Sequence, residues 1–334
     1  MKKINVQVNP YLEFMNSILL TSNYNELTKP YIGYGLMVEE ENEYTKAIKN
    51  FFKPYANDPI YAKIEEMIPN GFTFSRPVEL MLSLGNSDGF SVQYALSELC
   101  IQYCGGIDSI KNILQQLQIF WNKTGYSEFF KSMKYVYDPV IKQVSDSLST
   151  YPFIDIIENE YGQSQNSYHY TLSSLMKGNF GICFHTQDAN KSDLFSVFST
   201  DDFSLSPAIL FHEYSHPFIN PLTDKYFDLA QKYIDSYERL KDYKLPDYQS
   251  GYGDFKECIN EHLVRAMSIH LLNKINQTDL ANELLNNDLY CGYRFITQVL
   301  ECYDYYDKNR NKYHTLEQFY PELLGAFDLK YLKE

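Results

Sequence analysis

Residues Ser204–Leu222 read SLSPAILFHEYSHPFINPL. An apolar run leads into two histidines, His212 and His216, four residues apart, with Glu213 directly after the first. Ser204 or Ser206 can cap a helix here, and Pro207 suits its first turn. Residues four apart are neighbours on a helix surface, so both imidazoles would face one way, as sharing one ion requires. Pro217 lacks an N–H and disfavours helical backbone at His216, so the helix is expected to kink or end there. A chain of this composition contains H-E-x-x-H by chance about one time in a hundred, so a metal site needs a second signal. Without one, the histidines read as partly buried side chains and Glu213 as a surface acid.

A catalytic zinc bound by two histidines needs a third protein ligand and an open fourth position. Asp254–Leu272, DFKECINEHLVRAMSIHLL, has apolar residues at helical spacing and two glutamates, Glu257 and Glu261, one turn apart on one face. Carboxylates inside so apolar a helix are costly to bury unless paired or coordinated, and either one can serve as the third ligand.

Around these stretches the chain is mainly helical. Residues 9–148 carry apolar positions three and four apart, as in YLEFMNSILL and IKNILQQLQIFW, broken at Pro and Gly clusters. From Tyr151 the segments FIDIIENEY, YHYTLSSL, FGICFH and LFSVFS are short and aromatic or β-branched, which predicts a small sheet. Helical patterns return from Ser206 to about Ile219, then over 224–242, 252–275 and 277–306. The expected organisation is an N-terminal helical region (1–150), a small sheet with the HEYSH helix beneath it (151–222) and a C-terminal helical subdomain (223–334). The fold class is α+β.

Composition narrows the function. With 334 residues, 44% of them apolar, and no long low-complexity tract, the chain is a folded one with room for a substantial core. A formal charge of −14 and the lack of a basic stripe exclude a nucleic-acid partner, whose phosphates need clustered Lys and Arg. The acidic run VEEENEY at Val38–Tyr44 reads as a solvated face. No stretch reaches the roughly 18 apolar residues of a membrane span. The N-terminus is too interrupted by Asn, Gln, Pro and Glu to be an export signal, so a cytoplasmic location with six reduced cysteines is expected. Cys100 and Cys104, one turn apart, read as small core residues. Nothing in the sequence encodes an oligomeric state.

HEYSH followed by INEHLVRA resembles the gluzincins, zinc metallopeptidases with two histidines and a glutamate as ligands. The chain as a whole resembles an uncharacterised family, a domain of unknown function with a metallopeptidase pattern, through RPVELMLSLG, KGNFGICF, HEYSHPFINPL, NEHLVRA and YDKNRNKYHTLEQFYPEL. The resemblance implies a zincin-like catalytic unit that holds one zinc ion on His212, His216 and Glu261, with Glu213 as general base. Glu257 remains the alternative ligand, with Glu261 then supporting a histidine. The resemblance also implies a Tyr or His donor to the oxyanion. The candidates are Tyr293, Tyr303 and His270, with Tyr293 placed first. The segment containing Asn179 and Gly181 would be a strand edge that pairs with peptide substrate. The implied reaction is hydrolysis of a peptide or protein, and the alternative is a catalytically silent scaffold of the same shape that binds a protein partner. His169, His185, His262 and His314 are expected to be structural.

Overall fold

The computed structural model describes residues 2–85, 89–186, 191–199, 206–240 and 254–332, with the Ser206 side chain left aside. The chain forms two compact units, one of Ile4–Thr150 with Asn166–Asp201, the other of Met1–Lys3 with Tyr151–Gln165 and Asp202–Glu334.

The first unit opens with β1 (Ile4–Gln7), followed by α1 (Pro10–Thr21), α2 (Tyr24–Ile32), α3 (Glu43–Phe52), α4 (Pro59–Met67), α5 (Ser75–Leu82), α6 (Glu98–Tyr103), α7 (Ile107–Thr124), α8 (Tyr126–Ser132) and α9 (Lys134–Leu148). The helical reading of this region leaves out β1, although Ile4, Val6 and Val8 alternate with polar residues as a strand requires. α1 begins where Asn9 caps it: the Asn9 Oδ1 accepts the N–H groups of Tyr11 and Leu12, both at 3.0 Å, and Pro10 takes the position that needs no N–H. Its buried face brings Phe14 within 4.7 Å of the Tyr126 ring and 5.1 Å of the Trp121 ring. This aromatic packing organises the core of the unit.

After α10, a helix of the second unit (Phe153–Tyr161), come β2 (Ser167–Leu172), β3 (Phe180–His185) and β4 (Ser192–Phe198). The sheet order is β1-β2-β4-β3, with β1, β2 and β4 mutually parallel and β3 antiparallel to β4. Every residue of β4 is buried, the polar Ser192, Asp193 and Ser196 included, as befits a strand paired on both sides.

The second unit holds α10, α11 (Ser206–Ala230), α12 (Ile234–Leu240), α13 (Phe255–Lys274), α14 (Thr278–Tyr290), α15 (Ile296–Lys308) and α16 (Leu316–Leu323). α10 corrects an expectation, since FIDIIENEY reads as a strand by its isoleucines yet is helical. Its buried residues Phe153, Ile154, Ile157 and Tyr161 repeat at helical spacing, which decides the matter once a partner covers that face. Phe153 meets Phe211 at 5.4 Å, and Tyr161 stacks flat on Phe218 at 4.3 Å. The C-terminal end of α10 is satisfied from outside: Arg310 donates to the carbonyls of Asn159 and Glu160 at 2.7 and 2.8 Å, and the Tyr306 hydroxyl donates to Glu160 at 3.1 Å. Gly162 ends the helix in the left-handed region at φ 65°, where a Cβ would stand 2.5 Å from the His314 carbonyl oxygen.

The sheet therefore belongs with the N-terminal helices and the HEYSH helix with the C-terminal ones, whereas the expected division grouped sheet and helix in 151–222. The reason is pairing: β2 bonds to β1 at the start of the chain and β4 bonds to β2, while α11 packs along α13. The expected helix over 277–306 is two, α14 and α15, separated at Gly292 with φ 100°. Among the described residues no helix is long and apolar enough to cross a membrane.

Candidate metal centre

α11 does not stop at Pro217. It runs from Ser206 to Ala230 through both Pro217 and Pro221. Each internal proline costs about 3 kcal/mol through a lost backbone bond and a ring clash. The burial of Phe211, Tyr214, Phe218 and Ile219 against neighbouring helices offsets that cost. An end of the helix at His216 is thus overturned by packing, and the continuing turn has a use. It sets Asn220 one turn beyond His216, where its Oδ1 lies 3.3 Å from His216 Nδ1. An Nδ1–H held there leaves the Nε2 lone pair free. Ser204, the alternative cap of this helix, lies outside the described residues.

The Nε2 atoms of His212 and His216 stand 3.1 Å apart, their rings crossed at 82°. Across from them, α13 presents Glu261, with Oε1 3.6 Å from His216 Nε2 and Oε2 4.0 Å from His212 Nε2. Tetrahedral zinc with bonds of about 2.1 Å sets its ligand atoms about 3.4 Å apart. The three donors are therefore spaced as one ion needs them, and all lie within 4.8 Å of one another. Glu261, not Glu257, joins the histidines; Glu257 sits exposed in the first turn of α13, where Asp254 caps its N–H at 2.8 Å. Burial first, then the charges of His216 and Arg265, push His212 well below the ordinary histidine range, which keeps it in the neutral form that binds metals.

Arg265 is the residue that sequence reasoning missed. One turn after Glu261, its Nε donates to Glu261 Oε2 at 3.1 Å and its Nη1 to Asp288 Oδ1 on α14 at 2.8 Å. The guanidinium lies 4.2 Å from the centre of the Tyr293 ring. The spacing E-x-x-x-R in EHLVR was the available signal. Asp288 carried none, because its place depends on how α14 packs on α13.

Glu213 is buried, at 9% exposure, on the turn between the two histidines. At about 100° per residue it points roughly 60° away from His216 around the helix, beside the ligand face and not on it. Tyr293 is buried next to Arg265 and His262, and burial pushes its hydroxyl up to about 12, so it stays a proton donor at neutral pH. Tyr303 and His270 lie elsewhere: the Tyr303 hydroxyl donates to the Leu263 carbonyl at 3.0 Å, and His270 pairs with Glu160 and Asp307. Asn179 and Gly181 belong to the other unit. Asn179 precedes β3 and accepts from the Ser199 N–H at 3.2 Å; Gly181 pairs with Ser196, and β3 is an edge strand. His262 Nδ1 donates within its own turn to the Cys258 carbonyl, 2.8 Å away, and His169 stacks on Phe195 at 4.1 Å. None of the six cysteines forms a disulfide, and Cys100 and Cys104 are buried as expected.

A family profile described as a domain of unknown function (DUF4932) matches residues 4–326. The chain belongs to that family. The DUF4932 match includes every residue of the His212, His216 and Glu261 cluster as well as Asn220, Arg265, Asp288 and Tyr293. Nothing among curated proteins and nothing among solved structures matches the chain.

Proposed function

We propose that this DUF4932 protein is a zinc-dependent peptide hydrolase of gluzincin type, with a zincin-like catalytic unit. One observation carries the reading: two imidazole nitrogens from one helix and a carboxylate from another converge at 3.1, 3.6 and 4.0 Å, beside the acid of H-E-x-x-H. The donor set of two nitrogens and one oxygen suits zinc and leaves a fourth position for substrate. His212, His216 and Glu261 would hold the ion. When bound, such an ion lowers the pKa of water towards neutrality and polarises a carbonyl.

The chain's own residues do the rest. Asn220 fixes the His216 ring, and Arg265 holds Glu261 in place from behind, so the ligands are set before any ion arrives. Glu213, off the ligand face but next to it, takes the proton from attacking water and passes it to the leaving amine. Tyr293, neutral and buried beside Arg265, is the candidate donor to the developing oxyanion. In the other unit, the free side of β3 around Asn179 and Gly181 offers main-chain groups of the kind an extended peptide pairs with.

The test has two arms. Metal analysis of His216→Ala and Glu261→Ala proteins is expected to find zinc lost from both, and undiminished zinc in both removes the reading. Glu213→Gln is expected to keep its zinc while losing cleavage of a mixed peptide library. A wild-type protein that holds zinc and cleaves nothing supports the silent-scaffold alternative instead.

A further inference from the structure

The unit that lacks the metal-ligand cluster has a cavity of its own, about 540 Å³ in volume. It opens where three parallel strands end. Val8 directly follows β1, Ser173 follows β2 and Ser199 follows β4, and all three line it. Crevices at the carboxyl ends of parallel strands are recurrent ligand sites, because the chain must leave the sheet there and side chains of several loops converge. The volume falls within the few hundred to one thousand Å³ typical of small-molecule sites.

Its chemistry is selective. The walls are apolar and aromatic, with Val136, Val140, Leu172, Phe198 and the ring of Tyr135. Glu13 and Glu43 are its two charged residues, and among the described lining residues there is no Lys, Arg or His. Glu13, in the first turn of α1, is only 1% exposed. The Tyr44 hydroxyl donates to its Oε1 and is itself 2.6 Å from the Tyr137 hydroxyl, so a relay of two tyrosines orients the carboxyl. Its other oxygen, Oε2, is buried without a hydrogen-bond partner. A buried acceptor left in that state costs about 1–3 kcal/mol, more when charged, so it calls for a donor.

We infer that this cavity binds a small organic cation, an apolar or aromatic body carrying a protonated amine that pairs with Glu13. An ammonium brings both the missing donor and the opposite charge, and the tyrosine and phenylalanine faces accept cations favourably. An anion meets two carboxylates and no counter-charge. A neutral alcohol brings the donor alone. Burial, partly opposed by the Tyr44 hydrogen bond, pushes Glu13 up to about 7, so the empty cavity carries an ionisation cost near neutral pH that a bound cation relieves. The site is independent of the metal centre.

Three matched probes test it on the full-length chain by calorimetry at mildly alkaline pH: 2-phenylethylamine, 2-phenylethanol and phenylacetate. The amine is expected to bind at least roughly tenfold tighter than the alcohol, phenylacetate not at all, and a metal chelator to change nothing. Glu13→Gln, of equal size, is expected to cost the amine its tenfold advantage and leave the alcohol unchanged, with circular dichroism reporting the fold. Equal binding of amine and alcohol by the wild type, tighter binding of phenylacetate, or no binding of the amine at millimolar concentration overturns the inference, whether or not the variant folds.

Discussion

Replacing His270 by Gln removes the centre of an ion network buried between α10, α13 and α15. His270 Nε2 lies 3.1 Å from Asp307 Oδ2 and 3.5 Å from Glu160 Oε1, its Nδ1 is 3.6 Å from Asp304 Oδ1, and Lys274 reaches both Glu160 and Asp307. Burial by itself lowers the imidazole's pKa, but hydrogen bonds to Asp307 and Glu160 and the charge of Glu160 outweigh it and raise it from 6.5 to about 9. At about 1.4 kcal/mol per unit, the rise is worth on the order of 3 kcal/mol. The folded state binds this proton more tightly than the unfolded one, so the contribution is complete below pH 6.5 and fades as pH climbs through 9. Asp307 runs the other way. Burial alone would raise it, yet hydrogen bonds from His270 and Lys274 bring it to about 2, so its share is present above its ordinary value of 3.8 and is lost as acid titrates it. Native-state amide exchange in α10, α13 and α15, for wild type and His270→Gln, measures the difference in the unit concerned. A gap of about 3 kcal/mol near pH 6 is expected to shrink towards zero by about pH 10. A gap that stays constant across that window refutes the argument, because a packing defect has no reason to titrate.

Three further outcomes follow from the geometry. Arg265→Met frees Glu261 from its anchor at 3.1 Å, so zinc affinity measured against a competing chelator is expected to fall roughly 10–100-fold while Arg265→Lys falls less. Glu13→Gln abolishes an ionisation that burial resists: the raised pKa of about 7 means the wild type loses stability as pH rises from 4.5 to 7, so the variant is expected to be more stable by up to about 3 kcal/mol above pH 7 and little changed near pH 4, read by urea denaturation. Gly162→Ala places a Cβ 2.5 Å from the His314 carbonyl oxygen in a left-handed backbone and is expected to cost more than about 1 kcal/mol in the same assay.

The parts of this protein legible in its sequence are those whose cause is local. The HEYSH helix and the glutamate helix announce themselves by spacing alone, and Asp254, the first residue of the stretch so marked, caps α13. What stayed hidden depends on distant partners. Pro217 breaks a helix considered alone, but packed between α10 and α13 it does not. The isoleucines of α10 favour a strand until Phe211 and Phe218 cover its helical face. β1 is a four-residue strand whose partner, β2, lies more than 160 residues away, so no window around it carries the evidence. The cavity at the strand ends draws its residues from α1, α3, α9 and the ends of three strands, and no stretch of sequence holds more than a few of them.

The same distinction explains why Glu261, and not Glu257, meets the histidines. α13 is buried along most of its length, with thirteen of its twenty residues buried, so each charge it carries inward must find a partner. Glu261 and Arg265 answer each other and Asp288; nine residues on, His270 and Lys274 answer Glu160 and Asp307. These pairs tie α13 to α14 at one end and to α10 and α15 at the other, which fixes its rotation about its own axis. Glu257, a turn nearer the N-terminus, lies on the exposed first turn, outside both sets of ties. A carboxylate meant to complete a metal site must sit within a fraction of an ångström of its place before the ion arrives, and only a helix pinned at both ends supplies that. On this reasoning Arg265 and the His270 network do one job at two distances. Loosening the near pin should show directly in metal affinity. Loosening the far one should appear first as faster exchange along α13, and in metal affinity only to the extent that the helix turns.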